Sequence, residues 1–86
     1  MTKEHEERLD ALRMTIQLID KDILNLLEER VAAAKQVGEI KKIYDKPIYV
    51  PEVEKKKIET LSASCAYPGL VEAIWPVIMC YTLSVE

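Results

Sequence analysis

Eighty-six residues with 49% apolar and 31% charged content suit one globular domain, expected over residues 1–86, and exclude a disordered chain. A net charge of −3, with lysines and arginines dispersed among the acids, argues against a nucleic-acid surface. The polar start MTKEHEERLD is no secretory leader, and the apolar stretch from Ala73 towards Val85 is broken by Pro76 and too mixed to span a bilayer, so a cytoplasmic protein with no membrane role is expected.

The first element reads as one long helix from about Glu6 to about Tyr44, free of proline, rich in Glu, Lys, Leu and Ala, and with Gly38 as its weak spot. Leu9, Leu12, Ile16, Ile19, Ile23, Leu26, Ala33, Val37 and Ile40 recur at steps that draw one apolar stripe along it, with Arg30 set inside the stripe. At 1.5 Å per residue this helix measures roughly 55 Å, more than the rest of the chain can cover. A second copy of the same helix is the economical cover, so an intertwined homodimer is expected.

Arg30 is the residue that points to a ligand. A guanidinium cannot shed its charge, and placing it among apolar neighbours is costly without an anion to meet it. The stripe itself holds no Asp or Glu.

The second element opens after Asp45-Lys46-Pro47, with Pro47 to Val50 extended. Pro51 fits the first position of a helix, and Glu52 and Glu54 fit its first turn, where the helix dipole favours acids. This helix is expected to reach about Ser62, with Ile58 and Leu61 as its buried contacts and Glu54 on the same face. A third helix follows Ser64 to Gly69. Leu70, Ile74, Val77, Ile78 and Tyr81 give its spacing, and Pro76 is expected to kink it or remove one backbone bond. The class is therefore all-α, with a long, a short and a medium helix. Cys65 and Cys80 lack metal spacing and read as small core residues. His5 is the sole histidine, so neither a zinc site nor a Cys–His nucleophile pair is expected.

Arg30 and Lys41 lie eleven residues apart, close to three helical turns, and so share a face at about 16 Å along the axis. Arg13 lies seventeen residues before Arg30, roughly 25 Å away, beyond the reach of one small ligand on the same helix. In an antiparallel dimer, Arg13 of one protomer can approach Arg30 and Lys41 of its partner. Two guanidinium forks suit two carboxylates. Each residue also has an ordinary reading. Arg13 alone is a solvated helix residue, Lys41 with Lys42 favours a helix C-terminus, Glu54 is a first-turn acid, and Thr82 and Glu86 lie one turn apart where a chain end frays.

The string Leu9-Asp10-Ala11-Leu12-Arg13, then Ile19-Asp20, Leu26-Leu27-Glu28-Glu29-Arg30 and Val37-Gly38-Glu39-Ile40-Lys41, resembles the all-helical chorismate mutases of the AroQ class. Pro47-Ile48-Tyr49-Val50-Pro51-Glu52 and Glu54 continue the likeness over nearly the whole chain. The resemblance implies an intertwined dimer of three-helix chains with two sites, each drawing on both chains, and a Claisen rearrangement of chorismate to prephenate that feeds phenylalanine and tyrosine synthesis. It implies no metal and no cofactor. The roles it implies put Arg30, and Arg13 from the partner chain, on the substrate carboxylates. Lys41 and Glu86 fall at the ether oxygen, Glu54 at the ring hydroxyl and Thr82 near one carboxylate. If Glu86 donates to the ether oxygen it must be protonated, which favours acidic conditions.

Two substrate-facing positions depart from the family pattern. Val53 stands where an arginine is usual, and Val50 where an Asp or Asn is frequent. These departures keep alternatives open: isochorismate–pyruvate lyase or 4-amino-4-deoxychorismate mutase on the same fold, or a weakly active helical regulatory dimer. A partner or fused enzyme of the same pathway is a further expectation.

Overall fold

The structure, a computed structural model, describes residues 1–86. It holds three helices and no strand: α1 (Lys3–Ile43), α2 (Pro51–Ser64) and α3 (Leu70–Val85). No helix is long and apolar enough to cross a membrane. By its internal contacts the chain divides into two parts, Met1–Arg30 and Val31–Glu86.

The first part is helical from Lys3, three residues earlier than the periodicity suggests, because Thr2 caps it. The Thr2 Oγ1 accepts the His5 amide at 3.2 Å, and its carbonyl accepts the Glu6 amide at 3.0 Å. Within the chain, the apolar stripe expected to be buried is not. Leu12, Ile16, Ile19, Ile23 and Leu26 are exposed, and only Leu9, Leu27 and Arg30 in this part are half-buried. The periodicity correctly marks an apolar face, but one chain leaves that face uncovered.

The second part is built around the α2–α3 pairing, with Val71 and Met79 as its buried apolar residues. Glu54, Ile58 and Leu61 are half-buried on α2. The Ser62 hydroxyl donates to Glu72 Oε1 at 2.5 Å, fastening the end of α2 to the first turn of α3. That bond, followed by the Glu72 backbone amide, holds the Glu72 carboxyl below its ordinary range. Pro76 does not interrupt α3, which continues to Val85 and forgoes the one bond a proline cannot donate. Cys65 is half-buried, but Cys80 is exposed on the chain, against the expectation of a core thiol.

Two turns set the directions of the helices. At the end of α1 the Lys46 amide reaches the Lys41 carbonyl at 2.8 Å, and the Asp45 amide reaches Lys42 at 3.4 Å. These are the two bonds of a Schellman cap, and Asp45 takes its left-handed position with φ 52°. Before α3 the left-handed residue is Gly69, φ 82°, where a side chain would be strained even though space is open around it.

Candidate functional site

Lys41, in the last turn of α1, is the hub of the polar contacts in Val31–Glu86. Its Nζ donates to the Ile48 carbonyl at 2.9 Å and to Glu86 Oε1 at 3.3 Å. The two side chains are 25% and 11% exposed, so the pair is largely sheltered from solvent. An ammonium has three N–H donors, and these two contacts leave one to aim elsewhere. The Ile48 contact ties the 44–50 connection back to α1, just before α2 begins. Glu86 is thus seated beside the lysine and does not fray away from it.

The seat is visible in the backbone. Gly38, one turn before Lys41, is the buried residue of α1. A Cβ built there would lie 2.5 Å from the Glu86 carbonyl oxygen and 2.8 Å from its Cα. The Glu86 amide in turn donates to the Leu83 carbonyl at 3.2 Å, which closes α3.

Thr82, one turn before Glu86, is buried at 6% exposure. Its hydroxyl donates to the carbonyls of Ile78 and Met79, each at 3.1 Å. A carboxylate acceptor would require that hydroxyl to turn from its own helix.

Glu54 lies in the first turn of α2 and carries a buried oxygen, Oε2, without a hydrogen-bond partner. Such an atom is costly to leave unsatisfied, and a donor arriving on a ligand would satisfy it. Val50 is the N-cap of α2 and supplies no side-chain cap. Its carbonyl accepts the Val53 amide at 3.1 Å and the Glu54 amide at 3.4 Å. Val53 is 57% exposed and lines a shallow groove with Lys56, Lys57, Thr60 and Leu61, which turns its apolar side chain towards solvent on this chain.

In the Met1–Arg30 part, Arg30 is half-buried on α1. Arg13 is solvent-facing and holds a loose pair with Asp10 at 3.6 Å, with both side chains more than two-thirds exposed. A pair of that kind contributes little and is readily exchanged for a better anion.

Sequence reasoning singled out Lys41, Glu54, Thr82 and Glu86 but missed the Ile48 carbonyl and Gly38. A main-chain oxygen has no side-chain signature. Gly38 did have one: glycine inside a helix disfavours it relative to alanine, so its presence asks for a close approach.

The model of the family described as chorismate mutase type II matches residues 12–86. The bifunctional chorismate mutase/prephenate dehydratase of Aquifex aeolicus is 47% identical over 55 residues, covering 64% of this chain and 15% of that protein. The T-protein of Enterobacter agglomerans is 40% identical over 73 residues, covering 77% of this chain and 19% of its own length. The chorismate mutase of Methanocaldococcus jannaschii is 41% identical over 68 residues, 79% of this chain and 69% of that protein. The chain thus spans under a fifth of the first two relatives and about two-thirds of the third.

Proposed function

We propose that this chain, which belongs to the chorismate mutase type II family, converts chorismate to prephenate in sites shared by two copies of itself. The observation that carries the reading is Lys41, held between the Ile48 carbonyl and Glu86 with one N–H unspent.

The rearrangement is concerted. One carbon–oxygen bond breaks as a carbon–carbon bond forms, and no nucleophile is needed. The protein's tasks are to fold the enolpyruvyl arm over the ring and to stabilise charge growing on the ether oxygen. Lys41 is fixed by two acceptors, so its remaining N–H is pre-aimed and needs little reorganisation as that charge develops. Glu86, when protonated, is the second donor to the same oxygen. The orphaned Glu54 oxygen accepts the ring hydroxyl. Arg30 and the partner's Arg13 grip the two carboxylates as forks, and the weakness of the Asp10 contact leaves Arg13 ready to do so. Thr82 borders one carboxylate, and Val50 and Val53 line the ring side with apolar surface.

The exposed stripe of Leu12, Ile16, Ile19, Ile23 and Leu26 supports the dimer, because an identical stripe on a second α1 is a cover of matching length and chemistry. The Aquifex aeolicus relative, whose name joins mutase and dehydratase, supports a further reading, a chain that works beside or fused to an enzyme consuming prephenate. The cytoplasm is the proposed location.

Incubation of the purified chain with chorismate is expected to consume its absorbance and yield prephenate. Because Val50 and Val53 remove two polar contacts from the ring side and leave that of Glu54, isochorismate and 4-amino-4-deoxychorismate belong in the same assay. Salicylate and pyruvate from isochorismate, or turnover of the amino compound alone, would reassign the substrate. A stable dimer that turns over none of the three would make the chain a regulatory module.

A further inference from the structure

We infer that Gly38 is a positioning residue: its bare backbone is the notch in α1 on which the Glu86 main chain rests, and this contact sets the Glu86 carboxyl opposite Lys41. The inference rests on the mutase reading for its catalytic consequence, but the notch itself is independent of turnover. Gly38 is buried, and the atoms a Cβ would strike are Glu86 backbone atoms: the carbonyl oxygen at 2.5 Å, Cα at 2.8 Å and the carbonyl carbon at 3.0 Å. None is the yielding tip of a side chain. To restore ordinary van der Waals separation the Glu86 backbone would have to retreat by about 1 Å. Lys41 stands one turn further along α1 and touches Glu86 Oε1 at 3.3 Å, so a retreat of that size with the Glu86 rotamer kept carries the carboxyl out of hydrogen-bond reach. Nothing in the helix itself calls for a glycine here: α1 runs through it without a positive φ, and alanine would be the better helix former. The glycine is explained by what lies on it.

Gly38→Ala should therefore keep or raise helix content while displacing Glu86. By NMR on the full chain, contacts between the Lys41 Hε and Glu86 Hγ protons should be present in the parent protein and lost in G38A. In turnover of chorismate, kcat/KM should fall by about 10- to 100-fold, the scale expected of a displacement near 1 Å. The same substitution placed on Glu86→Ala should change it by less than about threefold, because the group being positioned is already gone. The pH–rate profile of G38A should take the shape of that of E86A.

Retention of the Lys41–Glu86 contacts in G38A, an equal loss in both backgrounds, or a G38A chain that fails to fold would each overturn the assignment. The last outcome would make the glycine a requirement of packing and not of placement. Absence of turnover in the parent protein would instead sink the mutase reading, and the NMR contrast would then decide the notch by itself.

Discussion

A glutamic acid can serve as a donor only in its protonated form, whereas the Lys41 ammonium carries three N–H donors. An ionised Glu86 carboxylate would accept from Lys41 and offer nothing to the ether oxygen. Glutamine preserves the shape, accepts from Lys41 through its carbonyl, and donates through its amide at every pH. Glu86→Gln is thus expected to flatten the pH–rate profile and to exceed the parent enzyme at alkaline pH, where loss of one preorganised donor costs on the order of 10²-fold. Steady-state rates across pH check this, and superimposable profiles for the two proteins would remove Glu86 from the chemistry. Arg30 stood out in the sequence because a charge inside an apolar helix stripe is conspicuous, whereas Glu54, Thr82 and Glu86 were singled out only through the family resemblance. The Ile48 carbonyl, which takes one of the Lys41 protons, was not legible, because every residue has a carbonyl and only the fold selects one.

At the scale of the elements, periodicity located all three helices, and their ends were less legible. The start of α1 depends on a single threonine cap, and its end depends on a backbone turn that sequence marks only by Asp45-Lys46-Pro47. That turn is a point of strain. Asp45 occupies the left-handed region that favours glycine, and it adds a negative charge at the negative end of the α1 dipole. Asp45→Gly should stabilise the fold by about 1 kcal/mol through relief of both costs. Urea titration at fixed protein concentration should show a higher midpoint with an unchanged slope. A midpoint that does not move would mean that the Asp45 side chain makes a compensating contact. The Ser62–Glu72 bond acts in the opposite sense: a carboxyl held low in the folded state contributes stability above its unfolded pKa and loses it as pH falls through the folded one, so the α2–α3 junction weakens in acid.

For the whole molecule, the exposed stripe on α1 is the feature that one chain cannot explain, and burial was illegible for that reason: the sequence marks which face is apolar, not which chain covers it. If each site takes Arg30 and Lys41 from one protomer and Arg13 from the other, inactive variants must be able to complement each other. Arg13→Ala and Arg30→Ala should each abolish most activity as homodimers, since every site then lacks one fork. A mixed dimer pairs an intact Arg30 in one chain with an intact Arg13 in the other, which rebuilds one complete site and leaves the second doubly defective. Unfolding the two variants together and refolding them at equal concentration should yield mixed dimers as half of the population, and so restore about a quarter of the parent specific activity. Mixing without unfolding should restore it slowly, at the rate at which intertwined chains exchange. Activity that stays at the sum of the two parents after co-refolding, with mixed dimers demonstrated by mass, would show that Arg13 and Arg30 do not reach one site from opposite chains.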